Sequence, residues 1–97
     1  MEKPIYDENV TYLIRGILTL HTPQECMRFF EDLCTASELQ EMSRRLQAAR
    51  MLKDGLSYSR ISKETGLSTA TISRVNRCLQ YGDDGYMTVL NRMEPRR

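Results

Sequence analysis

Apolar positions along the chain recur at three- and four-residue intervals and nowhere alternate convincingly at period two, so the pattern predicts an all-α chain of six helices. The first is expected from about Asp7 to Leu20, with Val10, Leu13, Ile14, Ile17 and Leu18 forming an apolar stripe that Tyr6 extends. Gly16 within it lowers helix propensity by up to ~1 kcal/mol relative to alanine but leaves room for close approach of another helix. Thr22, Pro23 and Glu25 then form a capping-box start with proline at the first helical position, where its missing N–H costs nothing. This second helix carries Cys26, Met27, Phe29, Phe30 and Leu33 and is expected to end near Cys34. Thr35 and Glu38 repeat the capping signature and open a longer helix through Lys53, with Leu39, Met42, Leu46, Ala49 and Leu52 inward and Asp54-Gly55 as the stop.

Residues 57–80, SYSRISKETGLSTATISRVNRCLQ, predict two helices joined by a tight turn. Ser57 and Ser68 stand where a hydroxyl can accept the orphan N–H groups of a first helical turn. Gly66, in the Thr65-Gly66-Leu67 step, supplies the positive φ that a sharp reversal between helices requires. Ile61 and Leu67 around the turn, with Ile72, Val75 and Leu79 on the second helix, share one face. Thr69, Ala70, Ser73, Arg74, Asn76 and Arg77 are left mostly outward. After a loop at Tyr81-Gly82-Asp83-Asp84-Gly85, a last helix starting at Asp84 or a neighbour holds Met87, Val89, Leu90 and Met93, and Glu94 to Arg97 read as a frayed tail.

Composition narrows the functional classes. Ninety-seven residues with 40% apolar content suit one domain with a modest core. The net charge of +1 conceals an asymmetry: residues 1–42 carry three basic groups against eight acids, a net −5, and the rest carry eleven against five, a net +6. The basic half contains the helix pair, where a phosphate partner would bind. No apolar run approaches the ~18 residues of a membrane span, and MEKPIYDENV lacks a signal-peptide pattern, so a cytoplasmic protein is expected. Cys26, Cys34 and Cys78 lack CxxC spacing, and with His21 the only histidine, neither a disulfide framework nor a metal site is expected; reduced, largely buried thiols are. One histidine, no glycine-rich phosphate loop and no nucleophile elbow also argue against an enzyme.

The segments LCTASELQEMSRRLQAARMLKDG and SYSRISKETGLSTATISRVNRCLQYG, above all GLSTATISRVNRCL, resemble the tryptophan repressor superfamily, and more closely its TrpR-like YerC/YecD branch. The resemblance covers nearly the whole chain. It implies a six-helix fold with an intertwined homodimer built through a scaffold over residues 6–54, a helix-turn-helix over 57–80 and a C-terminal helix over 84–94. It also implies a ligand position between scaffold and second motif helix, matched here by Thr35, Arg45 (with Arg44 the alternative one residue away) and Arg74. Val75 stands where the tryptophan repressor has a glycine against which the indole lies, and Cys78 where it has a serine. A branched side chain there costs ~1 to 3 kcal/mol of overlap with a ring, so L-tryptophan is not expected as a cofactor, and DNA binding is expected either unliganded or with a different, smaller ligand.

The expected function is a sequence-specific, repressor-like transcriptional regulator that binds double-stranded DNA as a homodimer. The alternative is a protein-interaction or DNA-targeting module without a regulatory ligand. On the DNA face, Ser68, Thr69, Ala70 and Ser73 are expected near base edges, and Ser57, Arg60, Lys63 and Arg77 nearer phosphates.

Overall fold

The computed structural model describes residues 5–94. Among them are six helices: α1 (Glu8–Ile17), α2 (Pro23–Leu33), α3 (Ala36–Lys53), α4 (Tyr58–Thr65), α5 (Thr69–Tyr81) and α6 (Gly85–Met93). The chain divides into two compact units, up to Leu39 and from Gln40 onward. The tail expected beyond Glu94 lies outside the described residues.

In the first unit the helix starts are local chemistry. Asp7 accepts the Val10 N–H at 2.8 Å, and Thr22 Oγ1 accepts the Glu25 N–H at 3.1 Å, with Pro23 at the first position of α2. At α3 the box is reciprocal: Thr35 Oγ1 accepts the Glu38 N–H at 3.1 Å and Glu38 Oε1 accepts the Thr35 N–H at 2.8 Å. Each such cap contributes about 1 kcal/mol by satisfying donors that the helix itself cannot. α1 stops at Ile17, short of the expected Leu20. The Thr19 N–H and hydroxyl both bond the Gly16 carbonyl, and the Leu20 N–H bonds Ile17, so the last turn tightens to three-residue steps and ends.

Neither α1 nor α2 contains a buried residue. Tyr12, Ile14, Leu18, Met27 and Leu33 are all exposed, Leu18 to 76%. Phe29 and Phe30 meet edge to face with centroids 5.4 Å apart, and Arg15 lies 5.9 Å over the Tyr12 ring. Among the described residues, the two amphipathic helices therefore present exposed apolar stripes.

The second unit holds the core. Ala48 and Met51 of α3, Ile61 of α4, Leu67 of the turn and Ile72 of α5 form one buried cluster, with Leu52, Leu56 and Tyr58 against it. Ala49, Val75 and Leu90 form another, joined by Leu46, Leu52, Leu79 and Tyr86. α3 thus buries two adjacent faces. Ala48 and Met51 were not on the expected inward stripe, while Met42, which was, is 41% exposed. The helix serves α4 and α5 on one side and α5 and α6 on the other, so no single stripe describes it.

The ends of α3 and α4 depend on glycine. Gly55 has φ +85°, with the Leu56 N–H bonded to Met51 and the Gly55 N–H to Leu52, a Schellman closure whose following residue, Leu56, packs on the first cluster. Gly66 has φ +78° and its N–H bonds Ser62. Arg50 and Glu94 pair at 3.1 Å, and Lys53 Nζ donates to Asn91 Oδ1 at 2.8 Å, linking the exposed edges of α3 and α6. α6 starts without a side-chain cap, since Asp84, a candidate for that role, sits at φ +64° and makes no capping bond.

Candidate nucleic-acid interface and the adjoining cavity

α4 and α5 pack closely against each other across a turn held by side chains. Ser57 Oγ accepts the Arg60 N–H at 3.2 Å and Ser68 Oγ accepts the Thr71 N–H at 3.1 Å, so both predicted serine caps are present. Thr65 was expected in the turn, but the hydroxyl bonds it and Ser62 make there were not. Thr65, buried to 7% exposure, donates its hydroxyl to Ile61 O at 2.7 Å and accepts the Leu67 N–H at 3.1 Å; Ser62 Oγ donates to Leu67 O at 2.7 Å. The Thr65 and Ser62 hydroxyls and the Gly66 and Leu67 N–H groups are thus bonded within the reversal, which stiffens the connection between the helices. Hydroxyls one turn before a glycine stop were the available signal.

Burial of Ile61, Leu67, Ile72 and Val75 turns the opposite face outward, as the spacing predicted. Thr69, Ala70, Arg74 and Arg77 are exposed, and Ser73 and Asn76 are partly so. α5 contains no acidic residue, and among the described residues Lys63, Arg74 and Arg77 make no ion pair. Arg60 differs: its Nε lies 2.8 Å from Glu64 Oε2 on its own helix. An exposed pair of this kind contributes about 0.3–0.5 kcal/mol, so Arg60 can exchange it for another anion at small cost. Ser57 and Ser68 already spend their hydroxyls on caps, and the Ser68 hydroxyl also bonds that of Thr71 at 3.1 Å.

On the other side of α5 lies a cavity of about 220 Å³ lined by Glu41, Arg45, Thr71, Arg74, Val75, Cys78 and Tyr86. Of the candidate ligand residues, Arg45, Arg74, Val75 and Cys78 are brought together here. Arg45, rather than Arg44, faces the cavity, although both guanidiniums lie near Glu41, at 3.6 Å and 3.9 Å. Thr35 belongs to the first unit, where it caps α3. Cys78 is exposed and Cys26 and Cys34 are half-buried, so the expectation of buried thiols fails; Cys78 sits on the rim of an open hollow instead of in a packed core. Val75 is only 3% exposed and belongs to the Ala49–Leu90 cluster.

Glu41, Thr71 and Tyr86 were not anticipated at this site. Tyr86 enters from α6, on which no spacing relation to Arg45 or Arg74 is visible in sequence. Burial pushes its phenol above the ordinary tyrosine value, Cys78 adds to the rise, and the Arg45 and Arg74 guanidiniums draw it back. A volume of about 220 Å³ falls below the ~300 Å³ at which ligand pockets usually begin.

Comparison with known proteins agrees along almost the entire chain. The sequence matches the family described as Trp repressor protein over residues 8–94. It is 54% identical over 82 residues to the uncharacterized protein YerC of Bacillus subtilis (strain 168), spanning 84% of this chain and 79% of that protein. A crystal structure from Staphylococcus aureus, of a protein proposed to be a Trp repressor, superposes with a TM-score of 0.88 at 48% identity, covering 95% of this chain and 92% of that one. A TrpR like protein from Eubacterium eligens ATCC 27750 superposes with a TM-score of 0.89 at 43% identity, covering 96% of each chain. Because agreement extends through the N-terminal helices as well as the helix pair, the chain belongs to the Trp repressor family, in the branch that contains YerC.

Proposed function

We propose that this protein is a homodimeric, sequence-specific DNA-binding transcriptional regulator, with α4–turn–α5 as its helix-turn-helix. The observation that carries the reading is the outward face of α5, which combines short side chains at its N-terminal end with unpaired arginines and no acid. Short residues at Thr69, Ala70 and Ser73 let a helix seat deeply in a major groove, where methyl groups meet thymine and hydroxyls meet base edges. Lys63 and Arg77 flank them at positions suited to phosphate, with Arg60 available once it leaves Glu64. Family membership supports the same class.

The dimer rests on the exposed stripes of α1 and α2. Two self-complementary apolar faces in a short chain are removed from water most simply by a second copy, giving two reading heads for successive major grooves about 34 Å apart. Sedimentation equilibrium at micromolar concentration is expected to return twice 11.3 kDa; a clean monomer would sink the dimer. Among the described residues no helix is long and apolar enough to cross a membrane, and a cytoplasmic location fits a DNA partner.

L-tryptophan is not the effector in this reading. The branched side chain of Val75 in the lining and the cavity volume of about 220 Å³ support that reading. The test of the functional class is anisotropy of a labelled random duplex titrated with protein and salt, followed by genomic footprinting to find the preferred site. Binding that weakens steeply with salt supports it, and absence of binding at low salt rejects it.

A further inference from the structure

We propose that Tyr86 is a positioning residue for the α5 helix: its ring, carried in from α6, is a built-in wedge that occupies the space between α3 and α5 beside Arg45 and Arg74. The cavity draws its walls from three helices, with Glu41 and Arg45 on α3, Thr71, Arg74, Val75 and Cys78 on α5, and Tyr86 alone from α6. α5 packs closely on α4 and on α6. Towards α3 it relies on side chains, and the α3 residues in the buried clusters include Ala48 and Ala49, which reach little beyond the backbone. Leu46, Leu52 and Leu79 pack on the Ala49, Val75 and Leu90 cluster as well, but of the large groups packed there it is the Tyr86 ring that also lines the cavity.

The polar end of Tyr86 fits the same role. Desolvation raises its phenol, so it remains a neutral group, and the two guanidiniums lie close enough to act on it. Val75 and Arg74 are consecutive on α5, the first against the wedge and core, the second on the cavity rim. Movement of the wedge would therefore shift Arg77, one turn further along, and Ser73, one residue before Arg74. Tyr86 in this account touches no DNA and acts through α5.

The proposal rests on the DNA-binding reading for one of its two assays, and the other is independent of it. Tyr86→Ala and Tyr86→Leu remove the ring, with leucine keeping apolar bulk for folding; Tyr86→Phe keeps the ring. Phe is expected to bind DNA within about twofold of the parent. Ala and Leu should weaken binding about tenfold, as when the competent arrangement of α5 falls to about a tenth of the population. The excised ring supplied as phenol should bind Tyr86→Ala but not the parent by calorimetry, slow hydrogen exchange in α5, and restore DNA affinity. A merely structural tyrosine would also leave a cavity that phenol fills and would lower stability, but under conditions where parent and variant are both fully folded it would leave α5 exchange and DNA affinity at their parental values. Parental DNA affinity in Tyr86→Ala, or a loss that phenol does not recover, overturns the wedge. If the parent protein binds no DNA, the functional reading fails while α5 exchange, with and without phenol, still decides the wedge.

Discussion

Replacing Val75 by glycine tests the core, the cavity and the ligand argument together. Val75 is 3% exposed and packs with Ala49 and Leu90. Its side chain has three carbons, and at ~0.8 kcal/mol for each buried methylene the lost transfer energy is about 2.4 kcal/mol. Glycine in a helix interior adds about 0.4 kcal/mol relative to valine. The sum, about 3 kcal/mol, is a large part of the 5–15 kcal/mol that holds a typical domain together. For a chain of this size it corresponds to a fall in midpoint of roughly 12–24 °C. Thermal unfolding by circular dichroism at matched protein concentration measures it, since a dimer's midpoint depends on concentration.

The same variant enlarges the cavity lined by Arg45 and Arg74, so L-tryptophan should raise the Val75→Gly midpoint and leave the parent unchanged. Relief of a ~1 to 3 kcal/mol overlap corresponds to a gain in tryptophan affinity of about five- to a hundredfold. A parent that binds L-tryptophan with a low micromolar Kd, or a Val75→Gly variant that unfolds at the parental temperature, would refute the reasoning.

Other substitutions separate the remaining parts. Gly66→Ala meets no atom within 4 Å, so its cost is the strain of φ +78° alone, about 1–2 kcal/mol, readable as a lower denaturant midpoint with unchanged slope. Glu64→Gln frees Arg60 and removes a negative charge from the DNA side; it should tighten random-duplex binding while costing under about 0.5 kcal/mol of stability, and an unchanged affinity would place Arg60 away from phosphate. Lys63→Ala should weaken specific and random duplexes alike and reduce the salt slope by about one for each head that carries it. Thr69→Val should alter sequence preference in a binding-site selection more than it alters bulk affinity, because it changes a group proposed to lie at a base edge instead of a charge.

Helix starts were legible in the sequence at four of the caps, although the local hydroxyl bonds of Ser62 and Thr65 and the uncapped start at Asp84 were not. Thr22, Thr35, Ser57 and Ser68 announce their helices because a hydroxyl three residues before a free N–H has one favourable use, and Gly66 announces the reversal because positive φ excludes most side chains. The rest of what escaped depends on partners far along the chain. Ala48 is invisible as a core residue because alanine is tolerated on any helix face, and it is buried here only because α4 and α5 close over it. Tyr86 escaped because no local pattern links a tyrosine on α6 to arginines on α3 and α5. Arg45 and Arg74 were found through family resemblance, whereas the placement of Glu41 against Arg45 needed only the four-residue helical spacing.

The account turns on whether the α4–α5 face binds duplex DNA, and the most direct measurement is the affinity of the purified protein for a random duplex as salt rises from about 50 to about 200 mM. Contacts from Arg60, Lys63 and Arg77 in each of two heads predict a linear fall of log K with log salt, with a slope near −5, reduced by about two when Lys63→Ala is introduced into both subunits. A flat salt dependence, or a slope that Lys63→Ala leaves unchanged, would contradict it.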